Sequence, residues 1–461
     1  MDVYAIFVRK CLYPLYYKKN GSSVSDHLSY YEKTQYFSSN DISRLQWKRL
    51  LRIVAHAYKH TKFYRQRFEE AGFDPVRLKS YNDFIRLPFL TKDDIQRNLK
   101  NLIADSCNKA ELVRDRTGGS TGTPLLFYYD RQRLEIREAL RIRSNRWSSW
   151  DVGEKTAIIW GARRDRADGL KSRVKASLLR KGLFLDAYSL DEEKMAQFAM
   201  RLKEYKPRII IGYAGALSLF AKYLSAIGDN NVRADAIIST AEALSNDDRK
   251  RIESVFNAKV FERYGCRELG PIAAECGDHT GLHINAESLF VEVVDPQTKL
   301  PVETGEPGEI VITDLLNYSM PFIRYKIGDT GRLLRKECKC GRGLPLMDTV
   351  AGRTVDFIKT PNGKIIAGPM AIPLLCEISG ILQAQIIQEY LDRIIIRVRC
   401  SAEFNSDSKR MLLMRCREVF GEQMRVTLEI VKSIPQEPSG KYRFVISKLT
   451  KDFKQQTLKS R

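Results

Sequence analysis

The densest set of chemically useful residues is Thr117-Gly118-Gly119-Ser120-Thr121-Gly122-Thr123-Pro124. Three Gly and four hydroxyl residues in eight positions make a loop whose backbone N–H groups can approach an anion closely. The hydroxyls add further donors. No Gly-Lys-Ser/Thr follows, so the loop is not of the Walker kind. Gly118 to Gly122 also fits the Gly-x-Ser-x-Gly nucleophile elbow, which needs an apolar strand before the Ser and a helix after it. Here Val113 to Arg116 is charged and Leu125 to Tyr129 reads as a strand, so hydrolysis through Ser120 is disfavoured. The bland alternative is a plain flexible loop.

Four further stretches carry charge or ligands. Tyr264-Gly265-Cys266-Arg267-Glu268 closes a strand-like run. Open α/β sheets bind ligands at such ends, and a Glu there can hold a cation bound to phosphates. Glu309 to Asp314 leads into Met320 to Gly331, which contains Asp329. Ala351 to Lys359 contains Arg353, and Pro438 to Arg443 contains Lys441. Each alone reads equally well as an ordinary strand or turn. Separately, Cys276 and His283 (Cys-x6-His) join Cys338 and Cys340 (Cys-x-Cys) as a soft ligand set. Thiolates with one imidazole suit tetrahedral Zn²⁺ in a reduced compartment, with Cys266 and His279 as alternates. A group of unliganded thiols is the plainer reading.

Together and in this order, the loop and the four stretches resemble the adenylate-forming superfamily of acyl-CoA synthetases, peptide-synthetase adenylation domains and luciferases. The phenylacetate–CoA ligase branch is most similar. Its capsular-polysaccharide-biosynthesis relatives resemble the chain at Asn317-Tyr318-Ser319-Met320-Pro321 and Cys338-Lys339-Cys340-Gly341-Arg342. The resemblance runs from about residue 50 to about residue 447.

The resemblance implies an ATP-dependent ligase that adenylates a small carboxylic acid, releases pyrophosphate and passes the acyl group to CoA. An amine on a sugar or amino acid is the alternative acceptor. Surface-polysaccharide or secondary metabolism is the implied setting. Thr117, Gly118, Gly119, Ser120, Thr121, Gly122 and Thr123 would hold the ATP β/γ-phosphates. Ala241 and Glu242, within Ser239 to Leu244, would line the adenine pocket. Tyr264 would lie against adenine, Glu268 would ligate Mg²⁺, and Asp329 would accept from the ribose hydroxyls. Arg353 would reach ribose or phosphate, and Lys441 would be the lysine swung in by a small domain. Similar Cys/His groups occur in relatives of this branch. The acid would sit near Tyr213, Ala214, Gly215, Gly270, Pro271 and Ile272. One departure stands out. The family junction reads Gly-Arg-x-Asp-Asp with the first Asp as hinge, whereas Val355 holds that position here and Asp356 follows. The swing to a second half-reaction would hinge differently, so CoA transfer rests on less than adenylation does.

These residues need elements to position them. Residues 1 to 105 read mostly helical, with a helix over Arg44 to Glu70 and another capped by Thr91. Arg131 to Arg146 reads as a helix with Arg133, Arg137 and Arg141 four apart, a pattern most simply explained as a solvated basic face. Helices over Asp191 to Tyr205, Ala214 to Ile227 and Asn246 to Phe256 alternate with strands over Arg208 to Gly212, Ala236 to Thr240 and Lys259 to Tyr264. That alternation predicts a parallel or mixed sheet with helices packed on it. Strands follow over Leu289 to Asp295, Glu309 to Asp314 and Phe322 to Ile327. A hairpin turning at Pro361-Asn362-Gly363 comes next, with a helix from about Met370 to Ser379. Two strands, a helix over Ser408 to Phe420 and a last strand over Arg425 to Lys432 complete an α+β unit. The expected fold is α/β. A large N-terminal adenylate-forming domain of mixed sheets and helices (1–352) would hold ATP and the carboxylate, and a small mobile α+β C-terminal domain (353–461) would carry the lysine.

Composition bounds the rest. The chain has 461 residues, 43% of them apolar and 29% charged, which excludes global disorder. It contains no run of about 18 uncharged apolar residues, so no spanning helix is expected. No signal peptide is read at the start, and nine scattered Cys fit a reducing cytoplasm. Lys and Arg number 77 against 56 Asp and Glu, a formal net charge of +21. Nucleic acid, an anionic membrane or glycan surface, and polyanionic small molecules compete for that charge. No nucleic-acid motif is recognisable, so no nucleic-acid partner is expected. A catalytically silent scaffold is disfavoured by Glu268, Asp329 and Lys441. ATP, pyrophosphate and CoA absorb part of the excess. Peripheral contact with an anionic membrane or glycan-lipid would suit the remainder.

Overall fold

The computed structural model describes residues 2–116, 125–160, 182–187, 192–348, 351–353, 357–361, 365–367, 378–434 and 445–449. A nine-stranded sheet dominates the larger part. Its parallel half runs Gly182–Asp186, Thr156–Trp160, Ile209–Tyr213, Ala236–Thr240, Lys259–Cys266. It continues antiparallel through Gly270–Glu275, Leu282–Ile284, Leu346–Met347 and Leu333–Leu334. Ile209–Tyr213 and Ala236–Thr240 are buried at every residue, as parallel strands covered on both faces must be. Helices Ala214–Ala226 and Asn246–Phe256 cover one face, and helix Arg131–Arg146 covers the other, with Ile136, Ala139 and Leu140 against Ile209, Ile211 and Ile238. Leu217, Phe220 and Phe256 pack with Ile210, Ile237 and Val260 in one core. Asn246–Phe256 starts where Ser245 accepts from the Asp248 N–H and stops at Asn257, whose left-handed φ of 49° ends the helix.

A second, four-stranded antiparallel sheet runs Leu289–Val294, Gly308–Asp314, Tyr325–Gly331, Ala351–Arg353. The smaller part orders Arg425–Ile430, Arg393–Cys400, Ile381–Tyr390 and Val445–Ser447, with helix Ser406–Phe420 packed on it. Ile386, Ile394, Ile396, Leu412 and Phe420 form its core. Phe357–Lys359 pairs antiparallel with Ile365–Ala367, while Asn362 and Gly363 of the expected turn lie outside the described residues. The helix expected from 370 to 379 falls almost wholly outside the described residues.

Three expectations are corrected. The helix over 44–70 is two helices, Ser39–His60 and Lys62–Glu70. Thr61 adopts extended φ/ψ between them, and its hydroxyl accepts from the Tyr64 N–H, so a local cap ends the first helix and starts the second. The strand expected at 322–327 is Tyr325–Gly331, because Arg324 takes a left-handed φ of 50° that breaks the extended run. The basic face expected of Arg133, Arg137 and Arg141 is only partly solvated, with Arg137 and Arg141 half-buried. Arg133 and Arg143 are fully buried, each paired with a buried carboxylate, Asp314 and Glu287 respectively. The Thr91 cap stands as expected, in a reciprocal capping box with Asp94.

Candidate functional site

Tyr213, Thr240 and Arg263 lie side by side on neighbouring parallel strands, at the carboxyl edge where such sheets bind ligands. The third strand runs on to Cys266. Ala241, just beyond Thr240, holds a left-handed φ of 73°, a conformation that costs a non-Gly residue about 1–3 kcal/mol. The next carboxylate, on Glu242, accepts from the Gly215 N–H at 2.8 Å, at the start of helix Ala214–Ala226. An anion there is favoured by the helix dipole. The side chain of Glu242 is thus held against the fold.

Tyr264, Glu268, Asp329 and Arg353 come together through strand Tyr325–Gly331. The Tyr325 hydroxyl donates to Glu268 Oε1 at 3.1 Å. Four residues along, Asp329 Oδ2 accepts from the Tyr264 hydroxyl at 2.8 Å. Asp329 also faces Arg353 in backbone register with Ala351–Arg353. Glu268 itself is buried, and no Lys or Arg side chain among the described residues forms an ion pair with its carboxylate. A buried carboxylate that no described Lys or Arg pairs with fits a divalent cation with phosphates attached.

The turn carrying Glu268 is fixed from behind. Three consecutive carbonyls each receive a side-chain donor from the chain just after the Gly-rich loop. Arg137 Nη2 donates to Arg267 O at 2.8 Å, the Tyr129 hydroxyl lies against both Arg267 O and Glu268 O (2.9 Å from the latter) with one proton to donate, and Arg133 Nη2 donates to Leu269 O at 3.0 Å. Arg133 Nε is occupied by Asp314 at 2.8 Å. Arg137 lies 4.4 Å from the Tyr129 ring centroid, within cation–π range. Gly270 follows at φ +80°, where a Cβ would stand 2.6 Å from Arg137 Nε. The periodicity of 133, 137 and 141 was visible, but its purpose was not. Arg141 differs from the other two, pairing with Glu138 one turn back on its own helix.

Thr117 to Thr123 lie outside the described residues, as do Lys441, Val355 and Asp356. Of the Gly-rich loop, only the flanks are described. Val113–Arg116 and Leu126–Tyr129 pair antiparallel, with Arg116 opposite Leu126. A strand follows the loop where a nucleophile elbow needs a helix, so the hydrolase geometry is excluded.

Cys276, His283, Cys338 and Cys340 do converge, with one ligand atom from each inside a 4.8 Å circle. Cys276 Sγ lies 3.5 Å from Cys338 Sγ, and Cys340 Sγ lies 3.3 Å from His283 Nε2. A tetrahedron with Zn–S of about 2.3 Å has edges of about 3.8 Å, so the spacing fits. The His283 Nδ1 is 3.4 Å from the Leu344 carbonyl. Donation there leaves Nε2 free to ligate, the usual outer-shell device. Burial holds the imidazole down to about 4 and pushes the Cys276 thiol up to about 12. Cys266 and His279 stand apart: Cys266 ends its strand beside Glu268, and His279 contacts Glu275 at 3.5 Å.

The chain is similar to known proteins over nearly its whole length. Residues 358–448 match the CapK C-terminal domain. The protein CapK of Staphylococcus aureus is 26% identical over 438 residues, covering 91% of this chain and 92% of that one. A phenylacetate-coenzyme A ligase of Thermus thermophilus is 27% identical over 361 residues, covering 77% and 78%. Among solved structures, a 2-hydroxyisobutyryl-CoA ligase complexed with an acyl-adenylate in its postadenylation state superposes with a TM-score of 0.73. It is 22% identical, over 90% of this chain and 92% of that one. The fold is that of the adenylate-forming enzymes, and the sequence is related to CapK and the phenylacetate–CoA ligases.

Proposed function

We propose that this adenylate-forming ligase activates a small carboxylic acid with ATP and transfers the acyl group to CoA. A carboxylate oxygen attacks the α-phosphorus, the bond to the β-phosphate oxygen breaks, and pyrophosphate leaves. The CoA sulfur then attacks the acyl carbon and AMP leaves. The observation that carries the reading is one strand, Tyr325–Gly331, touching Glu268 at one end and aligning Asp329 with Tyr264 and the Arg353 backbone at the other.

The transition state gathers negative charge on phosphoryl oxygens, so preorganised donors and a cation must be aimed there. Glu268 would hold Mg²⁺, which supplies charge neutralisation at the phosphates. Tyr325 orients the Glu268 carboxylate, and the three clamped carbonyls keep its backbone from drifting. Asp329 would accept from the ribose hydroxyls with Tyr264 beside the base. The Thr117–Thr123 backbone would take the outgoing phosphates, and Lys441 would bring the last positive charge from the 353–461 part. Zn²⁺ in the cluster of Cys276, His283, Cys338 and Cys340 would be structural, tying the loops at the sheet edge.

The test is carboxylate-dependent ATP–pyrophosphate exchange over a panel of acids, with CoA thioester read by mass spectrometry. Lys441→Ala should lower exchange by about 10²–10³ and leave ATP binding nearly unchanged. Full exchange in that variant would remove Lys441 from the reaction. Amide product with a sugar or amino-acid amine, and no thioester, would favour the alternative acceptor. Surface-polysaccharide or secondary metabolism remains the proposed setting, and it rests on the sequence resemblance at 317–321 and 338–342.

A further inference from the structure

Two α-helical stretches, Val3–Phe7 and Tyr13–Lys19, flank a π-helical turn, Val8–Leu12. One side of this segment is already packed. Ala5 and Val8 are buried, so close to Gly153 that a Cβ there would meet them at 2.8–2.9 Å. Val8 joins a core with Leu28, Ile136 and Leu140, and Arg9 pairs with Asp151 and Glu154.

The opposite side is also apolar, yet exposed. Val3 is 79%, Phe7 49% and Leu15 62% exposed, and Cys11 and Pro14 continue the same outward stripe. A surface helix normally reserves its outer face for polar groups. Beside the stripe stand exposed Lys10, Lys18 and Lys19, and no acidic residue occurs from 3 to 25. Apolar side chains at the crest with lysines at the flank are the arrangement of a helix lying in a lipid interface. No helix among the described residues is long and apolar enough to cross a membrane, so the contact would be peripheral. A second copy is a poor occupant, because each chain carries a formal +21.

We propose that the stripe Val3, Phe7, Cys11, Leu15 with Lys10, Lys18 and Lys19 docks the protein on an anionic lipid surface. This proposal is independent of the reaction assigned above. Each lysine near such a surface is worth about five-fold in partitioning.

The experiment is co-sedimentation of the full chain with vesicles of phosphatidylglycerol and phosphatidylcholine, and with phosphatidylcholine alone, at low and high salt. Binding is expected only to the anionic vesicles, and it should weaken as salt rises. Phe7→Ser/Leu15→Ser should lower it by roughly ten-fold or more, because the buried apolar area is lost. Lys10→Gln/Lys18→Gln/Lys19→Gln should lower it by roughly a hundred-fold. Both variants should keep pyrophosphate exchange at the parent level, which also shows them folded. No binding to anionic vesicles overturns the proposal. So does binding that survives Phe7→Ser/Leu15→Ser, since the general positive charge would then explain it. A dimer abolished by the same variant, without lipid binding, would assign the stripe to self-association instead.

Discussion

Strand Gly270–Glu275 runs between two sites held by opposite means. At its start the Glu268 turn is completed by the chain itself, with three carbonyls satisfied by Arg137, Tyr129 and Arg133. At its end Cys276 enters a cluster of thiols and one neutral imidazole that have little to offer each other. Hard oxygen acceptors are satisfied by guanidinium forks, which deliver several fixed donors from one side chain. Soft ligands at van der Waals distance gain comparably only from a cation. The turn should therefore depend on single residues of helix Arg131–Arg146, and the cluster on a metal.

The largest expected effect tests the metal. Structural zinc contributes on the order of 10 kcal/mol in small domains that fold around it. Stripping with a chelator, or Cys340→Ser, should lower the unfolding temperature sharply in calorimetry. Elemental analysis of the parent should find about one zinc per chain. Absence of zinc together with an unchanged melting profile would make both ends of the strand alike, self-sufficient, and erase the contrast.

Next comes Arg133→Met. Arg133 and Asp314 side chains are both fully buried, so removing the cation strands a buried carboxylate and should cost roughly 3–5 kcal/mol by denaturant unfolding. Zinc content per folded chain should stay the same, which separates the two ends.

Glu268→Gln should cut pyrophosphate exchange by about 10²–10³ while leaving stability and zinc untouched. A variant with parent-level exchange would show that the clamped turn positions something other than this carboxylate.

The smallest effect belongs to Arg137→Lys. The charge remains, but the fork that reaches Arg267 O is lost. The expected loss is roughly ten-fold in kcat, near the 1.4 kcal/mol of a charged hydrogen bond, with KM for ATP and the melting temperature little moved. A fall in stability without any change in kcat would make Arg137 a packing residue.

Legibility followed locality. Arg131–Arg146, Ala236–Thr240 and Asn246–Phe256 have the bounds that their spacing and caps foretell. The break at Thr61 escaped the pattern because the apolar run Ile53, Ala57 and Phe63 is only loosely helical in spacing, with Phe63 six residues past Ala57 and off its face, while the cap depends on a single backbone choice. Of the candidate site, Glu268, Asp329 and Tyr264 were named through the family resemblance, and the soft ligands through residue type and spacing. Tyr129 and Tyr325 carried no such signal, since a Tyr in a strand is most often packing.

The sequence by itself determined the ligand chemistry, the alternation of strands and helices, and the order of the motifs, because these depend on side-chain type and on periods of two and 3.6 residues. Only the tertiary structure decided that residues 276 and 283 meet 338 and 340, and that Arg133 and Arg137 face the Glu268 turn. The strands of 282–284 and 346–347 pair at the sheet edge and bring the thiols together across 62 residues of chain. Periodicity says which face of an element is buried. Which distant partner fills that face is settled by the packing of the whole sheet, where an arginine four residues from the next becomes a buried clamp and not a solvated stripe.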